Sequence, residues 1–226
     1  MAPPVVLVHG FGTSFELTWL HNGWVDLLAD EGREVIGVDL LGHGEAPKPT
    51  DPAAYADLGE RVREALPDEP VDAIGFSLGA KTLLQVASEE PDRFRSLVVA
   101  GVGANLFARV DHTPIVQAVR TGDDGDNPTL RYFAGLADLP GNDREALAAC
   151  MEGGESRVLD PERLAAITCP VLVVLGDEDF AGPADPLVAA LPNPTYVELP
   201  RTDHAKTPKS FAFIDAALEF LRQQGG

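Results

Sequence analysis

Residues 71–88 (VDAIGFSLGAKTLLQVAS) constrain the fold most, because a short apolar run gives way there directly to helically spaced apolar residues. Gly75, Ser77 and Gly79 lie at the junction, and Ala80 follows them. A serine held between a buried strand and the start of a helix takes a strained backbone, so its near neighbours must be small. The G-x-S-x-G pattern therefore predicts a nucleophile elbow that lifts the Ser77 hydroxyl clear of a sheet, although the same five residues also suit an ordinary turn.

The composition favours one folded domain and excludes two classes of partner. With 226 residues, 45% of them hydrophobic, the chain is long enough to bury a full core. Its 36 acidic and 17 basic residues give a net charge of −19, which repels phosphate backbones and anionic lipid. We therefore expect no nucleic-acid partner and no membrane-surface partner.

The cysteines and the apolar runs bear on the cellular compartment in which the protein is expected. Cys150 and Cys169 form no C-x-x-C pattern, so neither a disulfide framework nor a zinc site is expected. The chain starts with Met-Ala-Pro-Pro and runs straight into an apolar strand, without the basic start and long apolar stretch of a secretion signal. No apolar run approaches the roughly 20 residues of a membrane span. The sequence thus predicts a cytoplasmic protein.

Strand and helix patterns alternate along the chain. The predicted strands are residues 4–9, 34–40, 71–76, 95–102, 170–176 and 195–199. Helical spacing covers residues 19–31, 51–66, 78–88 and 185–191, and a final helix has an apolar face of Phe211, Ile214, Leu218 and Leu221. Strands that are apolar on both faces require helices on both sides. The pattern predicts an α/β fold with three layers, αβα, around a mostly parallel sheet of about six strands.

Residues 103–168 differ in character from the rest. They are polar and rich in turn residues, and their helical spacing is weak, which favours an insertion above the sheet. The expected organisation is a core of residues 1–102 and 169–226 with a lid of residues 103–168. Asp123, Asp124 and Asp126 within it favour a solvated loop over a metal site, because turn residues surround them.

The polar residues best suited to chemistry lie at or just after the ends of predicted strands. They are His9, His43, Ser77, Asp177, Asp179 and His204. Ligands of parallel sheets bind beyond the carboxyl ends of the strands, so these residues are expected near one another. A serine hydroxyl needs a base to accept its proton, and His204 is the candidate. A histidine base needs a carboxylate partner, for which Asp177 and Asp179 are both candidates.

The order of five motifs carries a resemblance to a known family. These motifs are His9-Gly-Phe-Gly, Gly42-His-Gly, the elbow around Ser77, Gly176-Asp-Glu-Asp and Asp203-His. In this order the chain resembles the α/β-hydrolase fold superfamily, specifically its lid-bearing serine esterases and related hydrolases. The resemblance spans essentially the whole chain and is weakest in residues 103–168.

The resemblance implies a Ser77-His204-Asp179 triad. In the family the acid is the fourth residue of a Gly-x-x-Asp turn, which counts from Gly176 to Asp179; Asp177 is the competing assignment. The oxyanion of a tetrahedral intermediate needs about two preorganised donors, and the family implies the backbone N–H groups of Leu78 and Phe11.

The resemblance also bears on the residues around the triad. Phe11, His43 and His112 are the candidate substrate-binding residues, with His43 more often bracing loops than moving protons. His9 is expected to orient the oxyanion loop. No cofactor and no metal are expected.

The chain also departs from the family pattern. It opens directly on the strand that leads to His9, whereas most relatives begin with two further strands. Residues 34–40 should therefore form an edge strand, which the amino terminus or a second subunit of a homo-oligomer would cover. At about 65 residues the lid is short for the family.

These features predict a hydrolase that cleaves a carboxylic ester or similar acyl bond of a small molecule through an acyl-Ser77 intermediate. The alternatives on the same triad are a carbon–carbon bond hydrolase, an enol-lactonase and a perhydrolase. A further alternative, from another class, is a ligand-binding homologue without turnover. A dehalogenase or epoxide hydrolase is disfavoured because both need an aspartate where Ser77 stands.

Overall fold

The computed structural model describes residues 2–109, 111–154 and 158–224. Within these residues six parallel strands form one sheet in the order β2-β1-β3-β4-β5-β6. The strands are β1 (Val5–Val8), β2 (Val35–Val38), β3 (Val71–Phe76), β4 (Phe94–Ala100), β5 (Val171–Gly176) and β6 (Pro194–Leu199). The predicted fold class is confirmed, and each predicted apolar run matches one strand to within two residues.

Helices cover both faces of this sheet. They are α1 (Trp24–Asp30), α2 (Gly59–Ala65), α3 (Leu78–Glu89), α4 (Thr113–Thr121), α5 (Pro128–Ala137), α6 (Arg144–Gly154), α7 (Pro161–Leu164), α8 (Asp185–Ala190) and α9 (Phe211–Gln224). Short 3-10 turns lie at Pro52–Tyr55, Pro91–Arg93, Ala104–Leu106 and Thr207–Lys209, and one π-helical turn at Glu16–Leu20. A search of the described helices finds none with the length and apolar character needed to cross a bilayer.

The core consists of two apolar layers, because successive side chains of a strand point to opposite faces. Val6 and Val8 of β1 pack in the layer that also contains side chains of α2, α3 and α8. Val5 and Leu7 pack in the other layer, with α1 and α9. Every residue of β3 is buried, so the strand that precedes Ser77 lies at the centre of the molecule.

The outer strands correct one expectation. The sequence predicted strands apolar and buried on both faces throughout, but β2 and β6 are only half covered. Gly37 in β2 is exposed, and Tyr196 in β6 is 40% exposed. Each of these strands has a neighbour on one side only, since they lie at the two edges of the sheet. The edge position predicted for residues 34–40 is confirmed, while a second subunit on this edge stays a prediction.

Two predicted helices are divided in the structure. Residues 19–31 comprise the end of the π-helical turn and α1, separated by Gly23, whose φ of 78° lies in the left-handed region. Residues 51–66 comprise the Pro52–Tyr55 turn and α2. The spacing of apolar residues continues across both breaks, which explains why the sequence pattern suggested single helices.

The apolar face predicted for the last helix is wrong at one residue. Phe211 is 83% exposed, whereas Phe213 is fully buried. Phe211 is the first residue of α9, and the buried face of this helix starts two residues later, at Phe213. Ile214, Leu218 and Leu221 face the core as predicted.

Residues 103–168 leave the sheet after β4 and return before β5. Helices α4 to α7 form the described part of this insertion, and Val110 and residues 155–157 lie outside the described residues. The two stems of the insertion meet where the Leu159 amide donates to the Leu106 carbonyl at 3.0 Å. Its helix α6 packs on the Pro52–Tyr55 turn, close enough that a Cβ on Gly153 would lie 2.2 Å from the Pro52 carbonyl oxygen. The domain boundaries stated above stay a prediction.

Candidate active site

Ser77 lies at the junction between β3 and α3. It has φ 52° and ψ −111°, a conformation that non-glycine residues rarely adopt and that stores strain. Space around the turn is very small: a Cβ on Gly79 would lie 2.2 Å from the Val8 carbonyl oxygen, and one on Gly75 would lie 2.7 Å from the Ala80 nitrogen. The tight packing explains why glycine occupies both positions beside this serine.

The side chains of Ser77, His204 and Asp179 form a continuous hydrogen-bonded row. Ser77 Oγ lies 2.9 Å from His204 Nε2, and both Asp179 carboxylate oxygens lie 2.9 Å from His204 Nδ1. A carboxylate only accepts hydrogen bonds, so Nδ1 carries the proton and donates it. Nε2 is then free of a proton and accepts from the Ser77 hydroxyl. Asp179 is buried and His204 is only 5% exposed.

Three separate strand ends supply this row, because the carboxyl ends of parallel strands meet at one edge of the sheet. Asp179 follows β5, and its Oδ1 also accepts from the Ala181 amide at 2.9 Å. The competing carboxylate, Asp177, is exposed and accepts from the Thr202 amide at 3.2 Å. A hydrogen bond from the Arg201 backbone is the main cause that lowers the pKa of the Asp177 carboxyl. The structure thus brings Asp179, and not Asp177, against His204.

Aromatic rings surround the His204 imidazole. The Phe76 ring lies 4.8 Å away at 40° and the Phe180 ring 4.4 Å away at 32°, measured between ring centres. The Tyr132 ring meets it edge-on at 6.2 Å. Burial, followed by the charges of Asp179 and Asp203, raises the pKa of Tyr132 to about 12. Sequence reasoning missed Phe180 and Tyr132; for Phe180 its position directly after Asp179 was the available signal.

The two candidate oxyanion donors lie on either side of the elbow. Leu78 begins α3, so its amide belongs to the positive end of the helix dipole. The loop that carries Phe11 touches Ser77, since a Cβ on Gly10 would lie 3.5 Å from Ser77 Cβ. Within the described part of the chain, neither the Phe11 nor the Leu78 amide makes a hydrogen bond. The role of these two N–H groups as oxyanion donors stays a prediction.

His9 holds the backbone of this loop. Its Nε2 accepts from the Leu40 amide at 3.1 Å, so the proton is on Nδ1, which donates to the Gly10 carbonyl at 2.7 Å. The ring is fully buried, and burial lowers the pKa of His9. His9 is therefore a neutral hydrogen-bonding bridge between two strand ends.

The other candidate substrate-binding residues occupy different places. His43 is fully buried, donates from Nδ1 to the Leu41 carbonyl at 3.0 Å, and lies 5.6 Å from the Phe11 ring, centre to centre. Burial lowers the pKa of His43 to about 3. His112 is half-buried at the start of α4 in the insertion. Phe11 packs on Phe133 of α5 at 5.9 Å between ring centres. Substrate contacts of these residues stay predictions.

In the acidic loop of the insertion, which contains Asp123, Asp124 and Asp126, two carboxylates form ion pairs with the Arg131 side chain. Arg131 Nε lies 2.6 Å from Asp124, and its Nη2 lies 3.4 Å from Asp126. Residues 2–109, 111–154 and 158–224 contain no group of three or more histidine, cysteine, aspartate or glutamate side chains that could hold a metal ion.

Comparison with known proteins shows the family of the chain. The family model described as "alpha/beta hydrolase fold" matches residues 3–126. A pimeloyl-(acyl-carrier protein) methyl ester esterase of Methylococcus capsulatus is 33% identical over 208 residues, which are 89% of this chain and 76% of that protein. A 2-hydroxymuconate semialdehyde hydrolase of Pseudomonas putida is 29% identical, over 88% of this chain and 70% of that protein.

Among solved structures, a hydrolase from Pseudomonas aeruginosa superposes with a TM-score of 0.76 at 27% identity. The match covers 97% of this chain and 90% of that one. Sheet order, elbow and sequence similarity agree, and the chain belongs to the alpha/beta hydrolase fold family.

Proposed function

We propose that this hydrolase cleaves a carboxylic ester of a small molecule through an acyl-Ser77 intermediate, with His204 as general base, Asp179 as its acidic partner and no cofactor. The observation that carries the proposal is the 2.9 Å distance between Ser77 Oγ and His204 Nε2, with Asp179 on the other side of the ring. A neutral serine is a weak nucleophile, and an adjacent base is what activates it.

The proposed reaction has two halves. In the first, His204 Nε2 takes the Ser77 proton while Oγ bonds to the ester carbon, and the carbonyl electrons move to oxygen. The Phe11 and Leu78 amides then stabilise this oxyanion. As the oxyanion collapses, the bond to the alcohol oxygen breaks and His204 protonates the departing alcohol.

Hydrolysis of the acyl-serine repeats these steps with water. His204 takes a proton from water, the hydroxide oxygen bonds to the acyl carbon, and Ser77 leaves with the proton that His204 returns. Asp179 holds the imidazole in the required tautomer and stabilises its positive charge in both halves. The sum is ester plus water to acid plus alcohol, with the enzyme unchanged.

A second candidate keeps these residues and changes the bond that is cleaved. One relative is named as a hydrolase of 2-hydroxymuconate semialdehyde, and this name does not describe an ester. The similarity therefore favours, as the alternative, hydrolysis of a carbon–carbon bond beside a carbonyl group. A substrate panel separates the two: rapid turnover of a vinylogous diketone with very slow turnover of every ester would favour the second candidate.

The first experiment is labelling with a fluorophosphonate probe alongside hydrolysis of an activated p-nitrophenyl ester. We expect stoichiometric labelling of the wild type and its loss in Ser77→Ala and His204→Ala. Ser88→Ala is the matched control, because Ser88 lies on the same helix and its hydroxyl donates to the Gln85 carbonyl of that helix, at 2.8 Å. A wild-type protein that is neither labelled nor active on the ester would contradict the proposal.

A further inference from the structure

The insertion reaches the oxyanion loop through the side chain of Asn142, in the segment between α5 and α6. Asn142 Nδ2 donates to the Gly12 carbonyl at 2.7 Å and to the Leu136 carbonyl at 2.8 Å. Both partners are carbonyl oxygens, which accept only, so the amide nitrogen must face them. One side chain thus joins the end of α5 to the loop that carries Phe11.

Packing reinforces this hydrogen bond. Gly12 has φ 67°, and a Cβ at this position would lie 2.7 Å from Leu136 Cβ. Leu136 therefore leaves no space beside Gly12 for a side chain. The insertion therefore holds Gly12 in two ways: Asn142 bonds to the Gly12 carbonyl, and Leu136 packs beside the Gly12 Cα.

The fixed carbonyl orients the next residue, Thr13. The Gly12 carbonyl and the Thr13 N–H belong to one planar peptide group, so one cannot turn without the other. The Thr13 N–H donates to the Gly10 carbonyl at 3.4 Å, and Thr13 Oγ donates to the same oxygen at 2.9 Å. The Thr13 hydroxyl in turn accepts from Thr18 Oγ at 2.8 Å. Thr13 therefore transfers the orientation of Gly12 to Gly10.

The Gly10 carbonyl determines the direction of the Phe11 N–H, because these two groups share the next planar peptide group. Three donors hold the carbonyl oxygen: His9 Nδ1, Thr13 Oγ and the Thr13 amide. In a trans peptide the C=O and N–H bonds point in opposite directions. Holding the oxygen on one side therefore aims the Phe11 N–H to the other.

We propose that Asn142 is a positioning residue that holds the Phe11 N–H in the orientation needed to bind the oxyanion, and that it acts through Thr13. This inference rests on the proposed function, since it assigns a part in the proposed reaction. Within the described residues, the Asn142 side chain donates to the Gly12 and Leu136 carbonyls and forms no hydrogen bond with the triad. Its effect comes from fixing two linked peptide groups before the reaction starts, which is the condition for electrostatic preorganisation.

The test compares Asn142→Ala and Thr13→Val with two controls. Removal of a complete oxyanion donor lowers kcat by about 100- to 1,000-fold, so loosening one donor should lower kcat by about 10- to 100-fold while KM changes less than about twofold. Thr13→Ser keeps the hydroxyl and should restore most of the activity. Asn193→Ala removes a similar bond, from Nδ2 to the Thr168 carbonyl at 2.8 Å, at the opposite edge of the sheet, and should not change kcat.

A second measurement separates positioning from a general loss of structure. The substrate for this measurement is an ester whose carbonyl oxygen is replaced by sulfur. In its tetrahedral intermediate the negative atom in the oxyanion hole is sulfur, which is larger than oxygen and a weaker hydrogen-bond acceptor. The wild type should therefore strongly prefer the oxygen ester. In Asn142→Ala and Thr13→Val this preference should fall about fivefold or more. A general loss of structure lowers both rates equally and leaves the ratio unchanged.

The outcomes distinguish this inference from the proposed function. If the wild type hydrolyses esters in a Ser77-dependent way but both variants keep wild-type kcat and the wild-type oxygen-to-sulfur ratio, the inference is wrong and the proposed function stands. A wild type that is inactive on every ester overturns both. If Asn142→Ala does not fold, as judged by circular dichroism, Thr13→Val decides the question with the same two readouts.

Discussion

His43 is a residue that folding holds without charge. Its ring is fully buried, and burial lowers its pKa to about 3 from an ordinary value of 6.5. Between these two values the unfolded chain binds a proton at this position and the folded chain does not. Stability therefore falls as the pH drops below about 6.5, because protons favour the state that binds them.

We predict that His43→Asn makes stability less dependent on pH. From about pH 7 to about pH 5, one such histidine lowers the free energy of unfolding by about 2 kcal/mol. Urea unfolding at both pH values measures this difference, which should be smaller by that amount in the variant. His21→Asn is the matched control, since the His21 side chain is 56% exposed. An unchanged difference in His43→Asn would show that another group causes the acid sensitivity.

The candidate site was predictable from the sequence to the extent that its residues follow strands. Ser77, Asp179 and His204 each come directly after a buried run or shortly after it, and the rule for parallel sheets brings such residues together. Tyr132 and Asn142 could not be found in this way. Their contacts depend on where the insertion settles over the sheet, and no local pattern encodes that.

The boundaries of helices and strands could be predicted where the local pattern of apolar residues is strong. Strands β1 and β5 are continuous apolar runs, and β3 and β4 are apolar beyond Asp72 and Ser96, because helices cover both faces; these runs are visible in the sequence. The short turns at Glu16–Leu20 and Pro52–Tyr55 share the apolar spacing of the helices that follow them. Only the three-dimensional path of the chain separates them.

Two glycines in different elements should respond oppositely to the same substitution. Gly79→Ala at the elbow places a methyl group 2.2 Å from a backbone carbonyl oxygen that cannot move, so we expect a loss of about 3 kcal/mol or more in the free energy of unfolding. Gly135 in α5 is exposed, and a methyl group added there would meet no atom within 4 Å from described residues beyond its chain neighbours and the backbone of its own helix, so alanine should stabilise by about 1 kcal/mol. Urea unfolding of both variants measures the two effects. A destabilised Gly135→Ala would contradict the described helix α5.

At the scale of the whole molecule, the edge of the sheet opposite to Ser77 is tied together by a buried ion pair. Arg33 Nη1 lies 2.6 Å from Asp72 Oδ2, and the two side chains are 5% and 1% exposed. Arg33 also donates to the Leu221 carbonyl at 2.8 Å, and Ser96 donates to Asp72 Oδ1 at 2.7 Å. The pair thereby connects the start of β2 to β3, β4 and α9.

We predict that Arg33→Met lowers the free energy of unfolding by about 3 to 5 kcal/mol, because it removes the cation in direct contact with the buried Asp72 carboxylate and leaves only the more exposed Arg95, at 4.0 Å. The rate per folded molecule should stay within about twofold, since Asp72 lies at the amino end of β3 and Ser77 follows its carboxyl end. Arg222→Met is the matched control: Arg222 pairs with Glu31 at 2.7 Å, but its side chain is 56% exposed, so the loss should be under about 1 kcal/mol. Equal losses in the two variants would contradict the role assigned to burial.

The joined stems of the insertion have a consequence for how such a molecule can diversify. Because the Leu159 amide is bonded to the Leu106 carbonyl, the chain leaves the sheet and returns to it through a single gateway. We therefore predict that the excursion between these two residues can be exchanged as a unit without altering the order of the strands, provided that the new segment supplies the hydrogen bond that Asn142 makes to the Gly12 carbonyl. A chimera that carries a relative's segment across this gateway should acquire the donor's selectivity and retain the host's attacking group.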